Sequence, residues 1–256
     1  MSGEIASGCL NLGLVTITIL ENLILIPPGA TKVPSLTVEN YVKGIYFLAA
    51  ADGGPITEVV VSTGEISREM GVSPGSVTGM LKSLTEDGLT TYTPYEGVRL
   101  TEEGRRLALK VIRRHRLLET FLVEVLQMPW DEVHEEAEIL EHAVSDRLID
   151  RMDNYLGTPD IDPHGDPIPK ADGTLPAAKG QPLKELQGGV KFRVVRVSDQ
   201  DSAFLRYLTE SGIVLGATGK VLENRREAGA ILFEVAGKNL ILGHEAASNV
   251  QVVIIK

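Results

Sequence analysis

The sequence predicts a mainly α-helical chain with a small β content, arranged as an N-terminal winged helix-turn-helix, a helical middle domain and a C-terminal small β-barrel. Three observations carry this expectation. Helix-period apolar positions dominate residues 36–155, a capped helix follows a shorter one across Gly71-Val72-Ser73-Pro74, and five short alternating stretches crowd the C-terminal part. The boundaries read as 1–34 for an extension, 35–101 for the winged helix, 102–156 for the helical domain, 157–184 for a Pro/Gly-rich linker and 185–256 for the barrel. A chain of 256 residues is long enough for more than one domain and a sizeable core.

In the first 34 residues, the apolar run from Leu10 to Ile26 is interrupted by Glu21 and Asn22, and no Lys or Arg precedes it. It fits neither a spanning helix nor a secretory signal, and reads as a loosely ordered extension or the product of a start codon assigned too far upstream. From Leu36 to Ala51, the spacing of Leu36, Val38, Tyr41, Val42, Ile45, Tyr46 and Leu48 predicts an amphipathic helix, stopped by Asp52-Gly53-Gly54-Pro55. A short helix follows from about Thr63 to Met70. Ser73 then caps, and Pro74 starts, a helix to Asp87 with Val77, Met80, Leu81 and Leu84 on its buried side.

Helix, turn and capped helix form the helix-turn-helix pattern, with a plain helical hairpin as the alternative. In the first reading Ser73, Pro74, Ser76, Thr78 and Lys82 present the start of the second helix to a DNA major groove. Short side chains let the helix lie deep but give few two-pronged base contacts, so DNA shape carries part of the specificity. Leu89 to Leu100 reads as two strands about the turn Pro94-Tyr95-Glu96-Gly97, a wing on which Arg99 meets phosphate or stiffens the hairpin. Thr101 starts a long helix to about Leu126, bearing the basic run Arg105, Arg106, Lys110, Arg113, Arg114 and Arg116.

His115 and Glu119 lie one turn apart on that helix. A further helix is expected from Asp131 to Tyr155, on which His134, Glu138, Glu141 and His142 fall at i, i+4, i+7 and i+8 and so along one face. If the two helices pack antiparallel, three imidazoles and three carboxylates converge, and carboxylates tolerate such crowding around a cation. Each residue alone reads as a solvated helix face; it is the joint spacing that points to divalent-metal sites. H-E-x-x-H fails because Glu138, not a histidine, stands four after His134, and Glu-x-x-His fails because Ile139 stands three before His142. The apolar stripe Ala143, Val144, Leu148, Ile149 and Met152 predicts self-association.

Gly157 to Pro182 is dense in Pro and Gly, without periodicity. Beyond it, strands are expected at Val190–Val197, Thr218–Leu222, Ile231–Val235, Asn239–Leu242 and Val250–Ile255, with a helix near Ser202 to Glu210. The net charge of −10 and the pI near 5.1 exclude a uniformly basic nucleic-acid binder. Cys9, the lone cysteine, excludes an internal disulfide and fits a reducing, cytoplasmic compartment.

These residues resemble the diphtheria-toxin-repressor family of metal-dependent transcriptional regulators over roughly Leu36 to Lys256, most specifically in R-R-H-R-L-L-E, V-H-E-E-A-E-I-L-E-H-A-V-S-D and P-H-G-D-P-I-P. The resemblance implies a barrel like Src-homology-3 domains, a cytoplasmic homodimer on a palindromic double-stranded operator, no membrane partner, and repression of metal-uptake genes when a divalent ion is bound. It implies a primary site of Asn40, Glu138, Glu141 and His142, an ancillary site of His115, Glu119 and His134, and further ligands at Asp162, His164 and Asp199. Glu138 stands where iron-type members have cysteine, and an oxygen there favours Mn²⁺, with Fe²⁺ as the alternative. Asn40 stands where Asp or Met is common, and Lys43 replaces a Glu of short manganese-type members, which favours the long-member arrangement. Two other readings are a metal-dependent hydrolase or oxidase, for which no nucleophile or oxyanion motif is present, and a metal-independent winged-helix regulator whose barrel binds a partner.

Overall fold

Local capping sets the N-terminal helices of the computed structural model, which describes residues 34–51 and 55–256; the expectations for the extension before Pro34 and for the stop at Asp52-Gly53-Gly54 lie outside the described residues. Helix α1 spans Leu36–Ala51, α2 Thr63–Met70 and α3 Pro74–Glu86. The Ser62 hydroxyl accepts from the Glu65 amide at 3.2 Å while the Glu65 carboxylate accepts from the Ser62 amide at 2.9 Å, a reciprocal box that starts α2. Gly71 ends α2 at φ 64°, a left-handed value that favours glycine. The Ser73 hydroxyl then accepts from the Ser76 amide at 3.2 Å and starts α3. Tyr41, Val42 and Ile45 of α1, Ile66 of α2 and Val77, Leu81 and Leu84 of α3 share one core. Strands β1 (Thr90–Thr93) and β2 (Gly97–Leu100) pair antiparallel as the expected wing.

Thr101 caps α4 (Glu102–Glu124), whose Leu109 and Ile112 enter the same core and whose Leu117 and Leu118 enter the next. The single helix expected from Asp131 to Tyr155 is instead two, α5 (Val133–Leu140) and α6 (Asp146–Tyr155). Ser145 turns extended and accepts from the Leu148 amide at 3.3 Å, a new cap that interrupts the periodic face. The expected self-association stripe is divided as well. Ile149, Val144 and Met152 pack inward with Leu117, Leu118 and Ile168, while Leu148 stays 45% exposed, and Ile139 and Tyr155 are exposed as well.

The C-terminal part forms a six-stranded antiparallel sheet in the order β3-β8-β4-β5-β6-β7, where β3 is Gln181–Pro182, β4 Lys191–Val197, β5 Thr218–Arg225, β6 Ala230–Val235, β7 Lys238–Gly243 and β8 Val250–Ile255. Helices α7 (Ser202–Ser211) and α8 (His244–Ser248) accompany it. Bulges at Val194/Arg196 and Val221/Glu223 bend the sheet around Phe192, Phe233, Leu205 and Val252. The edges β3 and β7 are not paired with each other, so the barrel is open. Ser35–Lys256 forms one compact unit.

The expected linker is not uniformly a surface segment: Asp162, His164, Asp166 and Ile168 are buried. Gly165 makes this possible, with φ 89° and a backbone so close to β4 that a Cβ would meet the Val195 carbonyl oxygen at 2.2 Å.

Candidate functional site

Helices α1, α4 and α5 and the Asp160–Ile168 segment bring a set of acids and imidazoles together. On α4, His115 bridges two carboxylates, its Nε2 lying 2.9 Å from Glu119 Oε1 and its Nδ1 2.7 Å from Glu141 Oε2. Burial opposes a charge there, yet the bonds to Glu119 and Glu141 outweigh it and lift the imidazole to about 9. His134 of α5 joins the pair, its Nδ1 lying 3.2 Å from His115 Nε2 and 3.3 Å from Glu119 Oε1. One ligand atom from each of His115, Glu119 and His134 lies within 4.8 Å of the others, and the same holds for His115 with Glu138 and Glu141 and for Glu119 with Asp162 and His164.

The third group is the most telling. His164 Nε2 lies 2.8 Å from the Trp130 carbonyl, which only accepts, so Nε2 carries the proton in the neutral ring and Nδ1 is turned to Glu119 Oε2 at 3.7 Å, beyond hydrogen-bond reach. Both of those atoms, with Asp162 Oδ2, are buried and lack a hydrogen-bond partner among the described residues. Two of the three being carboxyl oxygens, the arrangement fits a cation. Burial, with the charges of Glu119 and Asp166, pushes the Asp162 carboxyl up to about 7. Burial would raise Glu119 too, but hydrogen bonds from His115 and His134 hold it well below the usual range.

The expected primary ligands are assembled less fully. Glu138 and Glu141 come together, but Glu141 caps α5 and His142 follows it in the turn before α6. His142 Nδ1 donates to the buried Glu39 carboxylate at 2.7 Å, leaving Nε2 unpartnered 3.1 Å from Glu141 Oε1. Asn40 Oδ1 is also buried and unpartnered. Those two lone pairs fit an ion as well, but Lys43 Nζ lies between Glu138 and Glu141. Asp199 stands apart from all three groups, its carboxylate accepting from the Asp201 amide and the Asn249 side chain.

Sequence reasoning missed Glu39, which orients His142 and pairs with Arg114 at 3.0 Å, and Trp130, which stacks on His164. An acid in the first turn of α1 was the available signal for Glu39; nothing local marks Trp130. The basic run on α4 is not a free cationic face. Arg105 and Arg106 pair with Glu102 and Glu103, Lys110 and Arg114 with Asp146, Arg113 with Asp153, and Arg116 faces Asp162. Net acidity is the reason, since the first turn of α4, α6 and the linker supply the carboxylates.

At the other end of the winged helix, Ser73, Pro74, Ser76 and Lys82 are exposed along α3 and Thr78 is half-buried. The Ser73 and Ser76 hydroxyls lie 2.9 Å apart, and the Thr78 hydroxyl donates to the Pro74 carbonyl at 3.0 Å. Arg99 donates to the Glu58 carbonyl at 3.1 Å, bracing the wing against the chain before α2.

The family model of the iron dependent repressor N-terminal DNA binding domain matches residues 35–98, that of the iron dependent repressor metal binding and dimerisation domain matches 101–170, and that of the FeoA domain matches 181–254. The iron-dependent repressor IdeR of Mycobacterium leprae is 31% identical over 230 residues, covering 84% of this chain and 96% of its own. The diphtheria toxin repressor of Corynebacterium glutamicum is 27% identical over 227 residues, with 84% and 95% covered. A solved manganese-dependent transcriptional repressor in complex with manganese is similar at a TM-score of 0.75 and 42% identity, over 85% of this chain and 100% of that one.

Proposed function

From the premise that the chain belongs to the diphtheria-toxin-repressor family of metal-dependent transcriptional regulators, we propose that it grips a palindromic operator as a homodimer when loaded with Mn²⁺, Fe²⁺ being the alternative ion, and so represses metal-uptake genes. It is a DNA-binding repressor and not an enzyme. No helix among the described residues is long and apolar enough to cross a membrane.

The observation that carries the proposal is the buried trio of unpartnered acceptors, Glu119 Oε2, Asp162 Oδ2 and His164 Nδ1. Nitrogen and oxygen donors without a thiolate suit Mn²⁺, the ion of the solved relative, and iron is the ion in the name of the mycobacterial one. When bound, a divalent ion supplies the positive charge that lets these carboxylates share one enclosed volume. His115, Glu119 and His134, with Asp162 and His164, would hold one ion; Asn40, Glu138, Glu141 and His142 would hold the other. Glu39 keeps the His142 ring oriented with Nε2 free to ligate, and Trp130 does the same for His164 Nδ1. Asn40 sits on α1, within the core that also holds α3, so drawing it toward the turn after α5 biases where the reading helices stand.

Selection of binding sites from a random DNA library, run in parallel with Mn²⁺, Fe²⁺ and chelator, tests this. A palindrome enriched with the ion and absent with chelator is expected. Equal enrichment in chelator would favour the metal-independent regulator with a partner-binding barrel.

A further inference from the structure

Lys43 rises from α1 one turn beyond Glu39 and Asn40, and its ammonium lies 2.7 Å from Glu138 Oε1 and 2.6 Å from Glu141 Oε1. Its side chain is only 11% exposed, and that of Glu141 is fully enclosed. An ammonium has three donors and a compact charge, so it satisfies two converging carboxylates much as a small ion does. A cation therefore already stands at this locus, tethered to the chain. The Glu119 group differs. Arg116 approaches Asp162 only at 3.5 Å, and Glu119 Oε2 and His164 Nδ1 face each other unpartnered. The two loci differ in what an arriving ion must displace.

We propose that Lys43 is an internal competitor for the Glu138–Glu141 locus, giving it a higher ion threshold than the Glu119–Asp162–His164 group. The inference rests on the reading that both loci bind divalent ions. An ammonium and a divalent ion cannot both contact the same two oxygens, because like charges at that range repel strongly away from bulk water. Occupation of the locus requires Lys43 to swing out, and Glu138, 40% exposed, borders solvent on that path. The exchange also changes which atom of α1 makes the bridge. A long flexible stem gives way to the short Asn40 amide, so α1 must approach the α5 turn for the ion to be fully ligated. The threshold set by Lys43 becomes the concentration at which α1 shifts.

The test is calorimetric titration of the chelator-stripped full chain with Mn²⁺, alongside emission from Trp130, the chain's single tryptophan, whose ring stacks on His164 with centroids 5.7 Å apart. The wild type is expected to show a tight phase that moves Trp130 emission and a weaker one that does not. Lys43→Gln should tighten the weaker phase about ten-fold or more, the scale on which one contacting charge alters a site, and leave the Trp130 phase in place. Lys43→Arg should keep the wild-type threshold. A weaker phase unmoved or weakened in Lys43→Gln overturns the proposal alone; absence of both phases in the wild type overturns the metal-regulator reading and this one with it. Should Lys43→Gln not fold, the Lys43 ¹⁵Nζ resonance of the wild type decides instead during titration with Zn²⁺. It should become that of a solvated lysine as the second equivalent binds, and a resonance that stays put overturns the proposal.

Discussion

His115 holds Glu119 with one nitrogen and Glu141 with the other, and its proton affinity follows from that double duty. Lifted to about 9 from an ordinary 6.5, it stabilises the ion-free fold fully below 6.5 and loses that contribution as pH rises through about 9. Asp162, raised to about 7, acts in the same direction: its contribution is complete below 3.8 and gone above about 7. Ligation replaces both protons with an ion. The increase in melting temperature produced by Mn²⁺ should therefore grow between pH 6.0 and 8.5 in paired calorimetric scans, and a constant increment would contradict the geometry. Glu119→Gln removes the larger of the two anchors on His115, so in the ion-free protein its imidazole should titrate closer to 6.5, as read by NMR of the ring.

The elements legible in the sequence were those whose ends are set locally. Ser62, Ser73 and Thr101 each cap a helix with their own hydroxyl, and the wing turns where Pro94 to Gly97 predicted. What the sequence hid depends on distant partners. Lys43 meets its acids 95 and 98 residues away, and the aperiodic Asp162–Ile168 stretch is buried by α4 and β4 rather than by any pattern of its own. The break after Leu140 was masked by ligand spacing that runs unbroken through it, although Ser145 carries a capping signal. Ser145→Ala should cost about 1 kcal/mol in a denaturant melt and loosen Asp146 from Lys110 and Arg114. On α3, Lys82→Ala should weaken operator and random DNA alike and lower the salt slope of binding by about one.

Across the whole molecule, the barrel is fastened to the buried linker segment and to the turn before α5 rather than hung from a tether. Val197 donates to the His164 carbonyl at 2.8 Å, Arg196 pairs with Asp166 at 3.0 Å, Ser202 donates to the Asp131 carbonyl at 2.7 Å, and the Trp130 indole donates to Thr209 at 2.8 Å. His164 and Trp130 are thus held from both sides. Gly165 is where this fastening is tightest. Gly165→Ala should destabilise the chain by about 1–3 kcal/mol from backbone conformation alone, with the clash against Val195 added, and should selectively impair the ion uptake that Trp130 reports. A melting curve and an emission titration on the same sample check both.

The pause in the chain between Leu140 and Ser145 gives the ligand ring one fixed jaw and one sliding jaw. His134 and Glu138 ride on a helical rod, whereas Glu141 ends it and His142 lies in the turn beyond, so ligation is expected to change the opening of that turn without unwinding either neighbour. A calliper of this kind fits itself to the radius of what it closes on, and deuterium uptake at amides 141–144 should slow in proportion to how well a given ion fits.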